Sequence, residues 1–240
     1  MELIPLLQSF SQEIKRRTNI LNEDLVRYTF YSCLLRKDKN LNSYVVELPY
    51  KEMGRGASFH RLRVPTANAS ILKSADGTIR QKLDLFYDDY KNNIYCIEFK
   101  FHRKANSSFD LTSAAGSVFN DLLRLQTISP LYGDTRVRRL FVYVTDNEMH
   151  NYFTNKNNAY RKSLHNFYTL PIGQSRCVYF TNAPKSFINN ASSSFNYPFL
   201  SFCIRVCKLF DSGIDTESNS PINHLNIKVF EVIGCNSVSD

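Results

Sequence analysis

The chain has 240 residues, 43% hydrophobic and 22% charged, which excludes a disordered or low-complexity segment and fits one large globular domain. Lys and Arg outnumber Asp and Glu by 30 to 22, a net charge of +8 with a pI near 9.2, which favours a polyanionic partner, the alternative being a simply solvated basic face. No apolar run reaches the roughly 20 residues a membrane span needs. The start, MELIPLLQSFSQEIKRR, carries Glu2 where an export signal has positive charge, and Pro5 and Gln8 break its apolar stretch. Six scattered cysteines, several inside apolar strand-like runs and none in a CxxC pair, are the pattern of buried free thiols in a reducing cytoplasm.

Residues 19–37 repeat apolar side chains at Ile20, Leu21, Leu25, Val26, Phe30, Cys33 and Leu34, the 3.6-residue period of an amphipathic helix that Asn22 caps. The segment 43–50 is a short strand stopped by Pro49. Residues 51–67, with two glycines, a proline and the cations Arg55, His60, Arg61 and Arg63, have neither period and read as a mobile basic loop. Asp76-Gly77 signals a tight hairpin turn, and a polar break at 88–93 separates two further strands, making an antiparallel meander. Helical period returns over 110–128, with Asp110 or Ser113 as its cap, and 136–146 is a continuous apolar strand suited to the middle of a sheet. Beyond it, 160–167 suggests a short helix, while 177–180, 199–210 and 224–233 suggest strands between polar loops. The fold class is therefore mixed α/β, with 1–150 as a core and 151–240 as an extension of the same domain.

The strand NIYCIEFKF at 93–101 is the most informative segment. Alternation places Tyr95, Ile97, Phe99 and Phe101 on one apolar face, and Ile94, Cys96, Glu98 and Lys100 on the other. A carboxylate and an ammonium two residues apart on a core strand are costly to bury unless something uses them. The preceding strand has the same oddity: Asp84 lies between Leu83 and Leu85, thirteen intervening residues before Glu98. If the two strands pair across the 88–93 turn, both carboxylates converge on one site, and a divalent cation relieves their repulsion.

Asp84, a short hairpin and then Glu98-Phe99-Lys100 resembles the PD-(D/E)xK motif of restriction-endonuclease-like nucleases, and the element order over 19–146 resembles that superfamily's αβββαβ core, here followed by extra C-terminal strands. Lys82-Leu83 stands before Asp84 where the pattern often has proline. The resemblance implies metal-dependent phosphodiester hydrolysis, with Mg²⁺ (Mn²⁺ as substitute) held by Asp84, Glu98 and the main-chain carbonyl of Phe99, and with Lys100 orienting water or stabilising transition-state charge. It also implies a further carboxylate from the first helix: Glu23 matches that place, with Glu47 on the first strand as the rival. On the second helix it implies a basic or amide residue near the phosphate, for which Asn120 and Arg124 share a face; Asp121 is read as an intrahelical partner of Arg124. Phosphate-backbone contacts are further assigned to Arg55, Arg61 and Arg63, and to a basic cluster of His102, Arg103 and Lys104. DNA is the substrate implied, RNA the alternative, and a homodimer the assembly by which such nucleases often cut both strands. The competing reading is a nucleic-acid-binding module on the same fold without turnover, and a third is an interaction protein whose basic face meets an acidic partner. Neither a P-loop nor an HExxH pattern is present, which argues against nucleotide hydrolysis and zinc proteolysis.

Overall fold

Asn22 opens the second helix as a side-chain cap, its Oδ1 accepting from the amide of Leu25 at 2.7 Å, and Asp110 does the same for the long third helix through the amide of Thr112. In the computed structural model these helices flank one mixed sheet; it describes residues 2–17, 22–38, 43–50, 62–63, 72, 81–90, 93–103, 110–130, 136–196, 201–215 and 224–233. The helices are α1 (Leu3–Lys15), α2 (Glu23–Lys37), α3 (Leu111–Gln126), α4 (Asn147–Thr154), α5 (Ala159–Tyr168) and α6 (Lys185–Ala191). The strands are β1 (Tyr44–Pro49), β2 (Leu62–Arg63), β3 (Lys82–Asp88), β4 (Asn93–His102), β5 (Ser129–Pro130), β6 (Arg136–Asp146), β7 (Ser175–Thr181), β8 (Ser201–Asp215) and β9 (His224–Ile233).

Seven strands form the sheet in the order β1-β3-β4-β6-β9-β8-β7, and β2 pairs with β5 in a separate two-stranded bridge. The first three run antiparallel; β6 joins β4 in parallel after the α3 crossover, and β9, β8 and β7 then add antiparallel strands. From Leu140 to Val144, β6, in the middle of the sheet, is apolar on both faces. The C-terminal strands thus continue the same sheet as the N-terminal ones. Within 51–67, residues 62 and 63 pair with β5 through Leu62↔Pro130 and Arg63↔Ser129; the rest of that segment and the Asp76-Gly77 turn lie outside the described residues. Among the described residues, no helix is long and apolar enough to cross a membrane.

Helices cover both faces. On one, α1 presents Leu6, Leu7, Phe10 and Ile14, and α2 presents Val26, Phe30, Cys33 and Leu34, against Ile97, Phe99, Val142 and Ile227 of the sheet. α1 was not foreseen from sequence; its stripe follows helical spacing from residue 3, with Pro5 in the first turn, where a missing N–H is tolerated. Phe30 meets Phe10 and Phe99 edge-on, with ring centroids 5.3 and 5.2 Å apart. That contact fixes α2 over β4. On the opposite face, α3 to α6 bury Phe119, Phe153, Phe167 and Phe187 over Phe141 and Phe230. Gly116 lets α3 approach α6: a Cβ there would lie 2.5 Å from the carbonyl oxygen of Phe187.

Candidate functional site

β3 and β4 part company at a defined step. Their ladder runs from Asp88↔Ile94 to Leu85↔Ile97 and ends there, while β4 stays paired with β6 as far as His102↔Thr145. The next amide of β4 facing β3, that of Phe99, donates instead to Oδ2 of Asp84 at 2.8 Å. The amide of Phe101 donates to Oε2 of Glu23 at 3.4 Å. Two carboxylates therefore take the places of missing strand carbonyls. The N–H and C=O of one strand residue leave on the same side, so the Phe99 carbonyl also faces this fork.

The β1–β3 ladder breaks at the same level. It pairs Val46↔Leu85 and Leu48↔Leu83 but omits Glu47 and Asp84, and Glu47 adopts φ +54, a left-handed conformation that costs a glutamate about 1–2 kcal/mol. Across the break the faces exchange: Leu83 packs under α3, whereas Leu85 packs under α1 and α2. The irregularity aims Asp84 along the sheet toward β4, and such local strain is characteristic of functional sites.

Glu98, on the α3 face of β4, is 1% exposed. Its Oε1 receives the guanidinium of Arg124 at 2.8 Å and the hydroxyl of Tyr50 at 3.4 Å. Asp121, one turn before Arg124, bridges that guanidinium at 3.1 Å and the ammonium of Lys100 at 3.1 Å. Lys100 also lies 3.8 Å from Glu23. Arg27 of α2 reaches Oδ1 of Asp84 at 3.0 Å and stands 3.6 to 3.7 Å from Glu23, Asp24 and Glu47. Glu47 itself is half exposed and held by Lys82 at 3.0 Å.

Electrostatics follow from this packing. Burial drives the Glu98 carboxyl well above its ordinary range, with Asp84 and Asp121 adding to the rise against the opposing pull of Arg124. Burial likewise raises Asp84 and Glu23, although the Phe99 amide and Arg27 counteract it at Asp84. Asp84 and Glu98 are close enough to influence one another, and the negative charge of Asp84 adds to the rise at Glu98. For Lys100 burial works against the charge, but Asp121 and Glu23 outweigh it and hold the ammonium above its usual pKa. Glu23, Asp84, Glu98 and Asp121 thus face the cations Arg27, Lys100 and Arg124 around one fork.

This donor set suits a hard divalent cation. Asp84, Glu98 and the Phe99 carbonyl offer oxygen alone, burial disfavours the charged form of both carboxyl groups, and Mg²⁺ typically takes one or two carboxylates while keeping waters. Among the described residues, no three Asp, Glu, His or Cys side chains are grouped as a complete ligand cage.

The structure thus brings Glu23, Asp84, Glu98, Lys100 and Arg124 together, and adds three side chains that sequence reasoning did not assign to the site: Arg27, Asp121 and Tyr50. Their available signals were weak, since Arg27 is i+4 from Glu23 and Asp121 is i−3 from Arg124, spacings shared by ordinary helix-surface pairs. Two assignments to a nucleic-acid contact are corrected. His102 is buried beneath α3, its Nδ1 3.0 Å from the hydroxyl of Tyr143 and its Nε2 3.2 Å from that of Ser117. Burial, aided by Lys100, pushes it down to about 3, so it is neutral rather than part of a basic cluster. Asn120 spends its amide on Ser194, donating to Oγ and accepting from N, both at 3.0 Å, which ties α3 to the turn after α6. Arg103 is half-buried next to the site strand. Arg55, Arg61, Lys104 and the side chain of Arg63 lie outside the described residues.

No family model matches the chain, and neither a curated protein nor a solved structure matches it.

Proposed function

We propose that the chain is a Mg²⁺-dependent nuclease of the PD-(D/E)xK type that hydrolyses phosphodiester bonds, with DNA as its substrate. The observation that carries this reading is the convergence of Asp84 and Glu98 with Lys100 at the point where β3 and β4 separate. The element order supports this reading as well: α2, an antiparallel β1-β3-β4 meander, α3, and β6 parallel to β4 is similar to the αβββαβ order that the resemblance implies.

Asp84, Glu98 and the Phe99 carbonyl would hold the ion, which when bound supplies Lewis acidity to the phosphate and lowers the pKa of water. Lys100 remains protonated because Asp121 and Glu23 stabilise its ammonium. It therefore acts as a donor and positive charge, aligning the attacking water or stabilising charge that builds on phosphate oxygens, rather than as a general base. Glu23 of α2 lies 3.8 Å from Lys100, which supports it over the strand residue Glu47 as the further carboxylate. His102, neutral and enclosed, supports the strand from beneath α3 and takes no proton.

The test is cleavage of plasmid DNA, single- and double-stranded oligonucleotides and RNA with Mg²⁺ or Mn²⁺, for wild type and Asp84→Ala. Metal-dependent cleavage abolished by EDTA and by the substitution is the expected result. Cleavage indifferent to both would sink the assignment.

One observation favours the alternative of a binding module without turnover: Asp84 and Glu98 each already carry a guanidinium partner, at 3.0 and 2.8 Å. That reading predicts gel-shift binding with steep salt dependence and no cleavage of any of these substrates.

A further inference from the structure

The arginines at the fork are bound unlike a structural arginine elsewhere in the same sheet. Arg138 grips Glu231 with the full guanidinium fork, Nε to Oε1 at 2.8 Å and a terminal nitrogen to Oε2 at 2.7 Å. Arg27 and Arg124 meet Asp84 and Glu98 through a terminal nitrogen only. In both, Nε is buried and has no hydrogen-bond partner among the described residues. An orphaned buried donor carries a desolvation cost, so these pairings are incomplete in a way the Arg138 pairing is not. The two arginines also come from helices on opposite faces of the sheet, α2 and α3, and converge on the two carboxylates assigned to the metal.

We infer that Arg27 and Arg124 are exchangeable counter-ions, which hold the Asp84 and Glu98 carboxylates in the metal-free protein and yield those oxygens to the divalent cation. The inference rests on the nuclease reading for the identity of the ligands. It explains how buried carboxylates can be kept in place before a metal arrives, and it makes the arginines, together with the carboxylates, the determinants of metal affinity. Each guanidinium must be displaced from its carboxylate, so the ion binds less tightly than it would to the same carboxylates without arginine partners.

Titration calorimetry of the full-length chain with Mn²⁺, without nucleic acid, tests this on wild type, Arg27→Gln, Arg27→Lys, Arg124→Gln and Asp84→Asn. The Gln variants should bind Mn²⁺ about tenfold or more tightly than wild type, equivalent to about 1.4 kcal/mol per tenfold, with Arg27→Lys between. Asp84→Asn should lose the site. Should Arg124→Gln not fold, the two Arg27 variants decide alone, since lysine retains the charge that steadies the helix. Unchanged or weaker affinity in a folded Arg27→Gln, with binding still dependent on Asp84, overturns the exchange and leaves the nuclease reading standing. Absence of Mn²⁺ binding in wild type and every variant overturns that reading too.

Discussion

The amide of Phe99 donates to the carboxylate of Asp84 at 2.8 Å, where a continuous ladder would have met a main-chain carbonyl of β3. That substitution of side chain for backbone opens the sheet and points Glu98, Lys100 and the Phe99 carbonyl into one fork. The chemistry proposed for the chain depends on this local failure of strand pairing more than on any single residue.

Lys100 is the residue whose removal should affect turnover most selectively. Its ammonium is held by Asp121 and Glu23 and lies next to the carboxylates assigned to the metal. Lys100→Ala should lower kcat by about 10²–10³, the loss typical of removing one donor that stabilises transition-state charge, with a much smaller change in KM. Steady-state cleavage kinetics at saturating Mg²⁺ check the split; a variant that loses only substrate affinity would assign Lys100 to binding.

Phe30 links the packing of α2 to the geometry of the fork, because the same helix carries Glu23 and Arg27. Truncation to Phe30→Ala removes a fully buried ring that contacts Phe10 and Phe99, and should cost about 3–5 kcal/mol of stability. Urea denaturation measures that loss. Cleavage by the folded fraction should also fall, since α2 no longer seats against Phe99 beside Glu98.

Gly116→Ala should destabilise the chain by about 1–3 kcal/mol, as overpacking does where backbone cannot move aside. The new Cβ would stand 2.5 Å from the Phe187 carbonyl oxygen and 2.8 Å from Cβ of Asn190. The usual helical preference for alanine over glycine would predict the opposite sign, so a chemical melt separates the two effects.

His102 gives the pH dependence a definite sign. Its folded pKa is pushed down to about 3 from an ordinary value near 6.5, so the neutral form is the one the fold holds. The stability it contributes is fully present above about 6.5 and is lost progressively as pH falls toward 3. Denaturant melts of wild type and His102→Gln between pH 7 and 4 should show the wild-type advantage shrinking on acidification. A difference independent of pH would mean that the ring is not kept neutral by its burial.

Much of this arrangement was legible in the order of residues because it rests on local rules. Asn22 and Asp110 announced two helices as caps, the alternation at 93–101 separated the Phe99 face from the Glu98 face, and the apolar run 136–146 placed β6 inside the sheet. Asp84, Glu98 and Lys100 stood out as charges in apolar strands. α1, α4 and α6 escaped: the stripe of α1 was masked by Pro5, α4 follows β6 without a break, and α6 has only seven residues. Arg27, Asp121 and Tyr50 could not be placed at the site because the contacts that bring them there, to Asp84, Lys100 and Glu98, cross between elements and exist only once the elements pack. His102 was misjudged for a simpler reason. It shares strand parity with Glu98 and Lys100 and therefore points under α3, whereas a run of neighbouring cations suggested an exposed patch.

The location of a bound ion tests the central claim most directly. Crystals of the chain soaked in Mn²⁺ and measured at the manganese absorption edge should show one anomalous peak between the carboxylates of Asp84 and Glu98, near the carbonyl of Phe99, and Asp84→Asn crystals should lack it. Full occupancy elsewhere with none at this fork would contradict the account, whereas an ion at the fork with both arginine pairs intact would overturn only the counter-ion exchange.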